Sequence, residues 1–205
     1  MGSYLPITMS LIDSISEIGF SGKVGVLWSG GKNSSVLWDI VSREMDCTPV
    51  FIDHGLHPQE THELMHRMFR KGNFQVDIIR NDRVLGNIRE GKVYLSDGAH
   101  DYTMSDPLVY RELYVNPLIE ATKKYSILFA GNRWNRRPED SYLKYFERNG
   151  SSLIVRPILH WTESEVWEYI LKNRVDVNER YSKGWRIVDY AYDGKLSDVR
   201  AWDQK

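Results

Sequence analysis

Residues 23–45, KVGVLW-SGGKNSS-VLWDIVSREM, constrain the fold more than any other part of the chain. The apolar, β-branched opening suits a buried strand, the closing segment has helical periodicity, and two glycines form the turn between them. A strand that feeds a helix so directly is half of a βαβ unit, which implies a parallel neighbour. The alternation continues downstream. TPVFIDHG and QVDIIRN read as a second and third strand, with a helix between them from about Glu60 to Lys71. YSILFAGN is a fourth buried strand, SSLIVRPIL a short strand or extended link, and TESEVWEYILKNR a helix. Thr162 is the expected N-cap of that helix, and Glu165 completes its S/T-x-x-E box. Residues 8–19 read as an amphipathic helix closed by Gly19. LVYRELYVNPLIEATKKY reads as helical, with Pro117 expected to kink or split it. Residues 83–106 give no assignable pattern.

The expected fold is therefore α/β: a mostly parallel, Rossmann-like sheet with helices on both faces. It forms one domain, residues 1–205, with a core at about 20–172 and a short C-terminal extension at 173–205. In such folds ligands sit beyond the carboxyl ends of the strands. Three polar features fall there: SGGKNSS, DHGLH and GNRWNRR.

The first of these is a coherent anion trap. Its glycines let the backbone approach a ligand closely. The helix start leaves N–H groups free, with the positive end of the helix dipole behind them. Ser29, Ser34 and Ser35 add hydroxyls, and Lys32 adds a cation. The loop matches neither G-x-x-x-x-G-K-[ST] nor G-x-G-x-x-G.

It resembles the SGGxDS loop of the PP-loop ATP pyrophosphatases, also called adenine nucleotide alpha hydrolases. The closer likeness is to the branch of phosphoadenylylsulfate (PAPS) reductases, the ATP sulfurylase small subunit and FAD synthetases. FIDHGLHPQET resembles that branch's strand-two segment, VRPILHWTESEVWEYI its R-x-x-P-I-l-W segment, and VNERYSKGW its N-x-x-Y-x-x-G-[YW] segment. They occur in the family's order and span roughly residues 24–185. The resemblance implies an enzyme that binds ATP, or adenylylsulfate (APS) or PAPS, and with ATP cleaves between the α and β phosphates in the presence of Mg2+. Ser29, Gly30, Gly31, Ser34 and Ser35 would hold phosphate oxygens, and Lys32 would neutralise the departing pyrophosphate. Tyr181, Lys183 and Gly184 would form a closing flap.

The chain departs from this pattern twice. Asn33 stands where the superfamily loop has Asp, which weakens the case for ATP cleavage more than the case for nucleotide binding. The reductases' C-terminal Cys-Gly-x-His segment has no counterpart, because Cys47 is the only cysteine and precedes strand two. Thiol-based reduction is therefore not expected, and iron–sulfur chemistry, which needs several cysteines, is excluded.

In GNRWNRRPED, the resemblance places Gly131, Arg133 and Arg137 at the phosphate or sulfate end of the ligand, with Arg136 alongside. The arginine fork suits oxyanions. Arg156 is a similar candidate at the next strand end. Asp53 and His54 close strand two, where an adenine or ribose is met. His57 and Glu60 open the following helix as nucleotide rim or as plain helix-start polarity.

A competing reading comes from HELMH, residues 62–66, which matches the H-E-x-x-H pattern of zinc hydrolases. His62 and His66 can share a helix face, but no downstream third ligand is recognisable, so no metal residues are assigned. With 27 basic and 28 acidic residues, the chain implies no general nucleic-acid surface. No apolar run approaches the ~20 residues of a membrane span, no signal peptide is expected, and the single cysteine points to the cytoplasm. The expected partner is a small-molecule acceptor, sulfate- or flavin-like; a homodimer or protein partner stays open.

Overall fold

The computed structural model describes residues 4–18, 21–55, 57–89, 107–134 and 142–184. Six strands form one sheet in the order β3-β2-β1-β4-β6-β5. They are β1 (Val24–Leu27), β2 (Thr48–Ile52), β3 (Asp77–Ile79), β4 (Ile127–Phe129), β5 (Phe146–Asn149) and β6 (Ser152–Val155). Every pairing is parallel except β5 with β6.

Helices cover both faces, as the buried strands require. On one face lie α1 (Leu5–Glu17), α2 (Lys32–Glu44), α3 (Gln59–Lys71) and α7 (Glu163–Asn173), packed on a core that includes Ile12, Leu37, Leu64 and Val166. On the other face, α6 (Asn116–Lys124) buries Ala121 against Val50, Ile52 and Leu128. The period of two in β4 divides its side chains between the cores: Ile127 and Phe129 go to the first and Leu128 to the second.

Several local expectations hold and others are refined. The capping box of α7 is complete: Thr162 Oγ1 accepts from the Glu165 N–H, and the Glu165 carboxylate accepts from the Thr162 N–H. Helix α1 begins earlier than expected, at Leu5, with Pro6 in its first turn, where a missing N–H costs nothing. Pro117 does not split its helix. The α5 segment (Pro107–Tyr110) passes through a π turn (Arg111–Val115) straight into α6, so Pro117 falls at the start of α6. The wider turn accommodates the missing donor. Part of the stretch without a pattern is helix α4 (Asp82–Arg89). The antiparallel edge strand β5 was not expected. It leads into β6 through Gly150–Ser151, with Gly150 at φ +58°.

Candidate functional site

The strand order reverses between β1 and β4. In open α/β sheets such a switch point, at the carboxyl ends of the strands, is where ligands bind, and the loops leaving these two neighbours meet there. Ser29–Gly31 runs from β1 into α2, and Gly131–Trp134 leaves β4 beside it. Gly131 lies against the first turn of α2, where an added Cβ would stand 3.1 Å from the Ser34 nitrogen. Gly30 has φ +83°, and its added Cβ would be 2.5 Å from Thr61 Cγ2 on α3. Both glycines are thus required by the approach of three elements to one point.

The loop serines shape the turn. Ser34 Oγ donates to the Gly31 carbonyl at 2.9 Å and accepts from the Ser29 N–H at 3.2 Å. Ser29 Oγ is 3.3 Å from Ser34 Oγ. Ser35 is buried, and its hydroxyl accepts from Trp28 Nε1 at 3.3 Å. Gly31 is the N-cap of α2 and supplies no side chain to cap the helix amides.

Two cations converge on this helix start. Lys32 is the first residue of α2, and Arg133 comes from the loop after β4; their side chains are only 9% and 8% exposed. Arg133 Nε donates to Asn33 Oδ1 at 3.1 Å, and Nη1 donates to the Trp161 carbonyl at 3.0 Å. Arg133 Nη2 reaches Glu163 Oε2 at 2.5 Å, and Lys32 Nζ lies 3.3 Å from Glu163 Oε1. One carboxylate thus answers both cations. Burial opposes ionisation of Glu163, but the two cations outweigh it and hold the carboxyl below the usual carboxylate range. The Lys32 N–H donates to Tyr181 Oη at 2.9 Å, and the ammonium lies 5.0 Å from the Tyr181 ring centroid.

Tyr181 belongs to a 3-10 turn (Glu179–Lys183) strapped to α3. Arg180 pairs with Glu60 at 2.7 Å, and Asn178 Nδ2 donates to Thr61 Oγ1 at 3.1 Å. Glu60 therefore anchors the strap, and Lys183 approaches it from the same turn. Gly184 ends the turn at φ +86°.

At the end of β2, Asp53 Oδ1 accepts from the Gly55 N–H at 2.9 Å, and Oδ2 faces Arg80 at 3.3 Å. His54 is buried and stacks on His57 at 3.7 Å between ring centroids. His57 Nε2 lies 2.9 Å from the Ile52 carbonyl oxygen. These groups stand one strand away from the Lys32–Arg133 cluster and shape the turn into α3. Arg156 is held beyond β4 at the end of β6, donating to the Lys144 carbonyl just before β5 and to Glu147 in β5. Arg136 and Arg137 lie outside the described residues. Within HELMH, the His62 ring stands edge-on to Phe51. Among the described residues no three His, Cys, Asp or Glu side chains form a metal-binding group.

Sequence reasoning missed Glu163. An acid in the first turn of a helix is ordinary dipole complementarity, so its position alone carried no signal.

Residues 23–190 match the family described as phosphoadenosine phosphosulfate reductase domain. An adenosine 5'-phosphosulfate reductase from Geobacillus sp. is 26% identical over 163 residues, which is 78% of this chain and 68% of the relative. The phosphoadenylyl-sulfate reductase of Candida auris, solved as a phosphate complex, superposes with a TM-score of 0.68 at 17% identity, over 91% of this chain and 97% of that one. The FMN adenylyltransferase of Candida glabrata, solved with FAD and pyrophosphate, gives 0.56 at 16% identity, over 92% and 65%. With this fold and that match, the chain belongs to the phosphoadenosine phosphosulfate reductase domain family, a family of enzymes.

Proposed function

We propose that the chain binds an adenine nucleotide with its phosphates on the start of α2, and that with ATP it transfers the adenylyl group to a small sulfate- or flavin-like acceptor. The observation that carries this reading is the convergence of Lys32 and Arg133, both nine-tenths buried, on an N-terminus whose cap residue has no side chain. A buried cation is costly without an anionic partner, and two of them at the positive end of a helix dipole suit a phosphoanion.

In the proposed step an acceptor oxygen attacks the α-phosphorus, the Pα–O–Pβ bond breaks, and pyrophosphate leaves with the bonding electron pair. Lys32 and the first amides of α2 stabilise the charge that develops on the leaving group. Arg133 holds oxyanion with its fork, oriented by Asn33 and the Trp161 carbonyl. Mg2+ would arrive with ATP, held chiefly by the phosphates and water, and would help neutralise charge on the leaving pyrophosphate.

A second reading, binding of APS or PAPS without thiol chemistry, is favoured by Cys47 and Asn33. Cys47 precedes β2, at the opposite end of the sheet from the loop, and burial pushes its thiol up to about 12. Asn33 Oδ1 is engaged by Arg133, and an amide leaves the loop without the usual carboxylate charge. Incubation with ATP, Mg2+ and a panel of acceptors tests the first reading by pyrophosphate release, lost in Lys32→Ala. Nucleotide binding with no release, unchanged in Asn33→Asp, would overturn it in favour of the second.

A further inference from the structure

We infer that Glu163 is an affinity-determining residue that occupies the anion position of the crevice and must be exchanged for the incoming phosphate. The inference rests on the proposed nucleotide reading and concerns the same site. Glu163 is the first residue of α7, half exposed at 51%, whereas the cations it meets are almost wholly buried. Its two oxygens divide between them: Oε1 faces the Lys32 ammonium and Oε2 takes Arg133 Nη2. A carboxylate so placed offers the same kind of charged acceptor that a phosphate oxygen would bring.

Tyr181 does the equivalent for the backbone, since its hydroxyl accepts the Lys32 N–H that an oxyanion would otherwise take. Trp167 links the two groups. Its indole N–H donates to Glu163 Oε1 at 3.0 Å, and its ring stands edge-on to Tyr181 at 5.5 Å. The protein therefore covers its own anion site from α7 and the strap. Rotation of one solvent-facing side chain opens it, because the Glu163 carboxylate recovers its hydration as it leaves. A ligand that brings one negative charge trades like for like, while one that brings several outcompetes the carboxylate. Glu163 thus lowers affinity for all anions and favours polyanionic ones.

The probe is inorganic pyrophosphate, titrated calorimetrically onto the full chain. Glu163→Gln keeps the shape and removes the charge, and it is expected to bind pyrophosphate about tenfold more tightly than wild type. Trp167→Phe loosens the hold on Glu163 without touching either cation and is expected to gain about two- to threefold. It decides the matter if Glu163→Gln does not fold. A purely structural role would weaken binding in both variants. Equal or weaker binding by the variants, with wild type binding, overturns this inference alone. If no protein binds pyrophosphate, both this inference and the nucleotide reading fall.

Discussion

The two ends of the sheet treat charge in opposite ways. At the amino-terminal end, a cleft of about 450 Å3 is lined by Lys23, Cys47, Thr48, Asp77, Lys124 and Tyr125. Asp77 is answered within it: Lys124 pairs with Asp77 at 2.6 Å, and Tyr125 Oη donates to the same carboxylate at 2.7 Å. Lys123 and Lys124 sit in the last turn of α6, where the helix dipole favours them. At the carboxyl end, Lys32 sits in the first turn of α2, where the dipole opposes it, and Arg133 is buried beside it. Concavity therefore does not identify the site. The proposed site is where residues break the local electrostatic rule that the other end obeys.

The largest effect that would break this comparison comes from Arg133→Ala. It removes donors from Asn33, the Trp161 carbonyl and Glu163 together. Pyrophosphate or nucleotide binding is expected to fall at least about 100-fold. Stability is expected to fall by ~2–4 kcal/mol, measured by urea unfolding. Arg133→Lys sharpens the result, because it keeps charge but loses the fork, and most of the binding loss should remain.

Gly30→Ala comes next. The substitution places a Cβ at φ +83° and 2.5 Å from Thr61 Cγ2, so a stability loss of ~1–3 kcal/mol is expected in thermal denaturation. Binding should weaken with it, since Thr61 also carries the strap through Asn178.

The smallest effect belongs to the other end of the sheet. Burial opposes ionisation of Asp77, but Lys124 and Tyr125 outweigh it and hold the carboxyl below its ordinary range. Asp77→Asn should cost about 1 kcal/mol at pH 7 and leave nucleotide binding untouched. Because the folded pKa is depressed, the contribution is full above the unfolded aspartate value of about 3.9 and is lost as pH falls through the lower folded value. Unfolding at pH 7 and pH 3 should show the gap between wild type and variant shrink in acid. A loss of nucleotide binding in this variant would show that the two ends are coupled.

The frame of this site was legible in the sequence for a physical reason. Strands buried on both faces are written as continuous apolar runs, and the glycine-serine turn between β1 and α2 admits few conformations. Those two signals placed the loop, Gly131 and Arg133 at one crevice. Edge strand β5 was less legible because it alternates exposed and partly covered residues, FERN, and lacks the apolar run of a central strand. The Gly150-Ser151 pair between β5 and β6 is a two-residue hairpin signal that would have located it. Arg156 shows the limit of strand-end reasoning: it follows β6, yet its guanidinium turns toward β5 and Glu147. Glu163 reaches Lys32 from about 130 positions away, and no local pattern encodes that meeting. Tyr181 meets the Lys32 N–H from 149 positions away, where only the family resemblance had suggested a closing flap.

The most direct test of the account is a thermal-shift titration of ATP, APS and PAPS against wild type, Arg133→Ala and Asp77→Asn. A ligand that binds only the folded state raises Tm with its concentration. The account predicts a concentration-dependent rise with at least one of these nucleotides in wild type and Asp77→Asn, and none in Arg133→Ala. No rise in wild type, or an equal rise in Arg133→Ala, would contradict it.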